Sequence, residues 1–280
     1  MTNTTQEAKG TTDIFIKPGS NRVSFKSAEG YIPPANLVDA INVALFLEKP
    51  MLITGEPGVG KTQLAYYLSD KLGLGEIHRF NAKSNSEYTD ILYKYDTLRH
   101  FHYSKNRNNE ELSDDEIEEK FIEYKALGLA IKSKKRGVVL IDEVDKAPTD
   151  FPNDILDLLD DLRFEVPEIG KTHSCSESQK PVVMLTSNGL NSFPDAFLRR
   201  CVFVHIDFPG IDDLTNILLS RLSKLDTEMI RSNIVPNFLN IREALKRKKP
   251  SVFELLRWVH YINSHGFDFN ALGNPGILSQ

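Results

Sequence analysis

Short, continuously apolar runs alternate with stretches of helical spacing along most of the chain. Met51-Leu52-Ile53-Thr54, Ile77–Phe80, Val138–Ile141, Val182–Leu185 and Cys201–Ile206 are bounded by glycines or polar residues and have the length of buried strands. Between them, Pro34–Glu48 places Leu37, Ile41, Ala44, Leu45 and Leu47 near helical spacing, with proline early in the first turn. Lys61–Leu72 reads as another helix, with Gly73 positioned to end it. Strands that are apolar throughout and separated by helices predict a parallel sheet covered on both faces. From Ile211 the pattern turns helical, with Ile211–Leu222, Thr227–Leu245 (interrupted by Pro236) and Ser251–Ser264 as helices. The pattern predicts a flexible segment over residues 1–30, an α/β domain over 31–209 and a small helical domain over 210–280.

Composition narrows the class. Hydrophobic residues make up 40% of the chain, too many for full disorder. The two cysteines, Cys175 and Cys201, cannot build a disulfide framework or a four-cysteine zinc site. No stretch approaches the ~20 apolar residues a membrane span needs, and Met1–Gly10 lacks an apolar signal core, so a cytoplasmic protein is expected. Lys plus Arg is 34 and Asp plus Glu is 39, a net charge of −5 that argues against a bulk nucleic-acid coat. Seven of the acids fall between Glu110 and Glu119, which predicts a solvated acidic loop or insert over residues 104–120. Lys132, Lys134, Lys135 and Arg136 read as a solvated helix end. His100-Phe101-His102 reads as a surface pair, because no further ligand follows at metal spacing.

The chemistry starts after the first strand. Gly55, Glu56, Pro57, Gly58, Val59, Gly60, Lys61 and Thr62 fit G-x-x-x-x-G-K-[ST], with Gln63 next on the helix. Glycines let the backbone curl so that its N–H groups face phosphate oxygens, and the helix N-terminus favours the same anion. Lys61 reaches the terminal phosphates, and the Thr62 hydroxyl can ligate Mg²⁺. A second Gly-Lys-Thr, Gly170–Thr172, lacks the preceding glycine and the strand-to-helix break, and is a coincidence. Val138–Ile141 delivers Asp142 and Glu143 to the end of a strand. In a doubly wound sheet, ligands gather there. Asp142 then approaches the metal shell and Glu143 polarises the attacking water, which is nearly all that phosphoryl transfer asks of a protein. Asn188, after Val182–Leu185, stands where an amide can donate to the γ phosphate or hold the water.

Taken in order, Gly55–Thr62 (Walker A), Val138–Glu143 (Walker B), Asn188 (sensor 1) and the arginines before Cys201 resemble the AAA+ ATPases. Within them, Gly-Glu-Pro-Gly-Val-Gly-Lys-Thr, Asp142-Glu143-Val144-Asp145-Lys146-Ala147 and Pro194–Cys201 resemble the MoxR group, near the dynein-related AAA domains. The resemblance implies a P-loop NTPase fold, that is, an α/β parallel sheet followed by an all-helical lid, with ATP and Mg²⁺ as cofactors. It implies a homo-oligomeric ring, usually a hexamer, in which an arginine of one subunit reaches the γ phosphate held by the next. Arg200 falls at that finger position, with Arg199 beside it. Tyr31 lies in the adenine-contacting linker, where it either stacks on the base or simply packs. Phe164–Thr172 matches the hairpin directed at the ring pore. The sensor 2 arginine expected near Lys249–Glu254 is missing, and Lys249 and Arg257 are the nearest substitutes. The implied work is chaperone-like remodelling of a protein client, often beside a von Willebrand factor A-type partner. A nucleic-acid motor of a restriction or defence system, using Lys132–Arg136 or Arg242–Lys249, and a weakly hydrolysing nucleotide switch are the alternatives. At 280 residues the chain is expected to lack an effector domain and to act on something else.

Overall fold

The computed structural model describes residues 29–106, 112–189, 193–222 and 225–265. The expected flexible segment falls, over residues 1–28, outside the described residues, as do 266–280 of the expected helical domain. The strands are β1 (Met51–Gly55), β2 (Ile77–Asn81), β3 (Tyr93–Tyr95), β4 (Ile122–Tyr124), β5 (Val138–Asp142), β6 (Arg163–Val166), β7 (Lys171–Ser174), β8 (Val182–Ser187) and β9 (Val202–Ile206). The helices are α1 (Ala35–Leu47), α2 (Lys61–Lys71), α3 (Thr97–Asn106), α4 (Asp114–Phe121), α5 (Ala126–Lys132), α6 (Phe151–Asp161), α7 (Asp195–Arg200), α8 (Ile211–Arg221), α9 (Thr227–Met229), α10 (Val235–Ala244) and α11 (Val252–His265).

Five strands form one parallel sheet in the order β2-β5-β8-β1-β9. Alternate residues of the central strands serve opposite faces. Ile53, Leu140 and Met184 pack with Leu37, Ile41, Leu64 and Leu68 of α1 and α2. Leu52, Ile141 and Leu185 pack with Leu127, Ile131, Ile155 and Phe197 of α5, α6 and α7. Because both faces are covered, β1, β5 and β8 are buried at every position, which is why they read as unbroken apolar runs. A parallel sheet covered by helices on both faces is the arrangement that the AAA+ resemblance implies. Another cluster, with Leu214, Leu218, Phe238, Leu255 and Val259, comes only from residues after the sheet and is mostly helical.

The order of the strands brings the ends that matter together. The ends of β1 and β8 lie side by side, with Thr54 opposite Ser187, and β5 is the next strand beyond β8. The phosphate loop, the carboxylates and Asn188 therefore share one edge.

Three local readings change. The acidic segment is not a loop where it is described: Asp114–Phe121 is a helix, started by a reciprocal Ser113–Glu116 capping box. Asp114, Asp115 and Glu116 crowd its first turn, where the helix dipole favours negative charge. Residues 107–111, with Glu110 and Glu111, fall outside the described residues. Second, Pro236 divides its helical stretch without ending it, so that α9 and α10 are joined by a π turn. Ile230–Ile234 widens into a π turn just before α10, and Pro236 sits in the first turn of α10. The wider turn accommodates a residue that has no N–H and crowds the preceding turn. Third, His100 is not a free surface residue. It stacks on Phe121 at 4.6 Å between centroids and bonds the Tyr95 hydroxyl. Gly170 closes a short turn into β7, outside any phosphate loop.

Candidate functional site

Between β1 and α2 the chain turns through Gly58 at φ +81° and Gly60 at φ +103°, a region that L side chains rarely adopt. Crowding adds to the demand for glycine at position 60, since a Cβ there would lie 3.1 Å from the Tyr31 ring. The loop delivers Lys61, which is only 8% exposed. Its Nζ donates to the Gly55 carbonyl at 2.5 Å, the Glu56 carbonyl at 3.1 Å and Asn188 Oδ1 at 3.0 Å. Burial lowers the ammonium's pKa, while Asp142, Asp145, Glu143 and Glu56 oppose the change.

Thr62 Oγ1 donates to Asp142 Oδ2 at 3.1 Å. Asp142 also accepts from Arg79 on β2 at 2.6 Å and from the buried Thr186 hydroxyl. The same Thr186 oxygen accepts the Glu143 N–H at 3.0 Å, so one hydroxyl on β8 holds both acidic residues. Glu143 itself has φ +58°, a conformation uncommon for a non-glycine residue and often found at functional sites. Its half-exposed carboxylate pairs with Lys146 at 2.6 Å. Lys61, Thr62, Asp142 and Asn188 are thus linked directly, and Glu143 adjoins them through Thr186.

A cavity of about 300 Å³ opens beside the loop, lined by Tyr31, Gly60, Gln63, His205, Phe208 and Phe253 among others. Tyr31 packs against Tyr67 with centroids 5.4 Å apart, and burial raises the pKa of its hydroxyl. Packing and cavity lining are therefore both true of this residue. The Gln63 side-chain oxygen is buried without a hydrogen-bond partner beside this cavity.

The remaining expected residues lie elsewhere. Arg200 extends from α7 and pairs with Asp157 of α6 at 3.0 Å, about half exposed. Arg199 is exposed, and its carbonyl accepts from Lys49 at 3.4 Å. Neither joins the Lys61 cluster within this chain. Of the two sensor 2 substitutes, Lys249 is exposed and Arg257 lies over Phe253 of its own helix, 5.3 Å from the ring centroid. Arg242, which the sequence pattern offered only within the Arg242–Lys249 stretch of candidate nucleic-acid contacts, is buried and pairs with Glu56 of the phosphate loop. Arg79, Thr186 and Lys146 were missed as well. Thr186 offered a signal, because a hydroxyl at the end of a fully buried strand needs a partner. The three cations offered none, since their partners are far away in sequence or, for Lys146, one helical turn away on an ordinary surface.

The chain is similar to several known proteins. The model of the AAA domain (dynein-related subfamily) matches residues 50–201, just over half of the chain. Midasin of Dictyostelium discoideum is 27% identical over 195 residues, covering 67% of this chain, and the match spans 3% of midasin's length. A crystal structure from Cytophaga hutchinsonii, provisionally described as an ATPase, is 16% identical with a TM-score of 0.42, covering 81% of this chain and 58% of its own. The matched stretch begins just before β1 and ends just before β9, so it holds the phosphate loop, both carboxylates, Asn188 and the paired arginines. The chain belongs to the dynein-related subfamily of AAA domains.

Proposed function

We propose that this chain binds ATP with Mg²⁺ and hydrolyses it to ADP and phosphate. The observation that carries the reading is the convergence of Lys61, Thr62, Asp142 and Asn188 at one sheet edge behind a left-handed glycine loop. The residues suit the ligands. Thr62 and Asp142 offer the hard oxygen donors that Mg²⁺ takes, and the ion would neutralise charge on the phosphate oxygens. Loop N–H groups and Lys61 bind the phosphates. The neighbouring cavity has aromatic walls for a base, and Gln63 supplies an unpaired acceptor beside it. Glu143 orients the attacking water and receives its proton, and Asn188 helps to hold that water.

The finer reading keeps the MoxR likeness. Residues 31–209 act as the nucleotide domain and 210–280 as a lid, and the subunits form a ring in which Arg200, supported by Arg199, reaches the neighbour's γ phosphate. A cation aimed there stabilises the charge that develops in the transition state. The ring works on a protein client or a von Willebrand factor A-type partner. The nucleic-acid alternative is weaker, because Lys132 of its basic cluster is committed to Glu118 and to the Tyr124 ring.

Two variants test the core of the proposal. Lys61→Ala is expected to lose binding of a fluorescent ATP analogue. Glu143→Gln is expected to keep binding while phosphate release falls about a hundredfold or more, the usual scale for a general base. Wild-type turnover in Glu143→Gln would refute the water-activating assignment.

A further inference from the structure

Arg242 stands in the last turn of α10 and is buried. Its guanidinium makes three different contacts. Nη1 donates to the Pro250 carbonyl at 2.6 Å, Nη2 pairs with the Glu56 carboxylate, and the planar group lies 3.6 Å from the centroid of the Phe208 ring. Each contact belongs to a different segment. Pro250 is in the connection from α10 to α11, Phe208 is in the extended connection from β9 to α8, and Glu56 is the second residue of the phosphate loop. Arginine suits this place because it combines a flat stacking face, a fork of donors and a permanent charge.

Glu56 is held from the other side as well. Its carbonyl, with that of Gly55, accepts from Lys61 Nζ. The cation that would move to a bound phosphate and the cation that anchors the helices therefore grip the same residue, one by main chain and one by side chain. A phosphate that draws Lys61 away removes the carbonyl contacts at Gly55 and Glu56. The segment between the two flanking glycines, Gly55 and Gly58, is then free to turn and take the Glu56 carboxylate with it. Arg242 follows or lets go, and in either case the helical cluster is displaced relative to the sheet.

We propose that the Glu56–Arg242 ion pair is the contact through which phosphate-loop occupancy reaches the C-terminal helices. Arg242 is a positioning residue and does not touch nucleotide. The proposal rests on the nucleotide reading above.

Hydrogen exchange of the full chain tests it. The parent is Glu143→Gln, to prevent turnover, and each protein is compared without nucleotide and at saturating Mg²⁺-ATP, with saturation established by separate titration of a fluorescent ATP analogue. ATP is expected to change exchange across α10 and α11 in the parent. Adding Arg242→Gln, which removes the charge together with the fork and the stack, is expected to abolish that change. It should also speed exchange of these helices without ATP, about two- to fivefold for loss of a partly exposed pair. Glu56→Gln should abolish the ATP-dependent change too, and decides the matter if Arg242→Gln fails to fold. A parent-like ATP response in either folded variant overturns the proposal, as does a parent that binds ATP without any change in these helices. If Arg242→Gln folds but cannot be saturated while the parent can, Arg242 acts in binding itself and the coupling role is refuted. A parent that does not bind ATP at all overturns the nucleotide reading first, and the titration separates that failure from the others.

Discussion

Adding one methyl group to the phosphate loop should loosen the C-terminal helices. Gly58 has φ +81°, and a Cβ built on it would lie 2.4 Å from Ser251 Cβ and 2.9 Å from Ser251 Oγ. Ser251 is not a mobile tip. Its hydroxyl accepts the Glu254 N–H at 3.2 Å, and Glu254 returns a bond to the Ser251 N–H at 2.8 Å, fixing the start of α11. Gly58→Ala should therefore destabilise by two separable amounts: about 1–2 kcal/mol for a left-handed alanine and about 1–3 kcal/mol for the overlap. Ser251→Gly alone loses a cap at only a few tenths of a kcal/mol. It also removes both crowding atoms, leaving Ser251 Cα at 3.8 Å, an ordinary contact. In Gly58→Ala/Ser251→Gly the overlap disappears and the backbone strain remains, so the two changes should couple favourably by about 1–3 kcal/mol. The assay is urea unfolding followed by Trp258, the single tryptophan, which packs against the helical cluster. Comparing midpoints at equal slope isolates stability from changes in compactness. Additivity within about 0.5 kcal/mol would show that the phosphate loop and α11 do not touch as described.

Stability should also fall at low pH through one half-buried network around Glu118. Burial raises the pKa of Glu118, but bonds from Lys132, Lys171 and Tyr124 outweigh it and carry it from 4.5 to about 2. A lowered carboxylate pKa stabilises the fold above the unfolded value and loses that contribution as pH drops through the folded value, so the loss runs from about pH 4.5 to about pH 2. Solvent screening at this partly exposed site leaves a contribution of about 1 kcal/mol, and the wild-type advantage over Glu118→Gln should shrink across that window in pH-dependent unfolding; a constant difference would refute the network. If Arg200 acts across a ring interface, mixing Arg200→Ala with Glu143→Gln subunits should restore part of the phosphate release that each lacks alone. Absence of recovery at all ratios, with subunit exchange shown by labelled protomers, would exclude action in trans.

What could be read from the sequence followed from locality. The phosphate loop and the acidic strand end are contiguous, so their residue types and spacing carry the chemistry in a few positions. The apolar runs of β1, β5 and β8 were legible because both faces of each are buried. Asp114–Phe121 was not read as a helix, because it buries little beyond Phe121 and owes its start to Ser113 and Glu116, a capping signal outweighed by the density of charge. The missing arginine near Lys249 was legible as an absence. That Arg242 reaches the phosphate loop was not, because Glu56 lies 186 residues away and the contact depends on how the helices fold back.

The electrostatics of the site follow from these unreadable contacts. Asp142, Asp145, Glu143 and Glu56 lie near Lys61 and all favour its charge, yet burial still lowers its pKa. Three of these four carboxylates are each paired with a cation, Asp142 with Arg79, Glu143 with Lys146 and Glu56 with Arg242, while Asp145 keeps one buried oxygen without a hydrogen-bond partner. Lys61 is left with two backbone carbonyls and an amide oxygen, neutral partners that release a cation more readily than a carboxylate would. An ammonium held this way is poised to exchange toward a phosphate. The three flanking cations keep Asp142, Glu143 and Glu56 from competing for it. The whole-chain charge of −5 says nothing of this arrangement, because anion binding here depends on which cation is left without a carboxylate of its own.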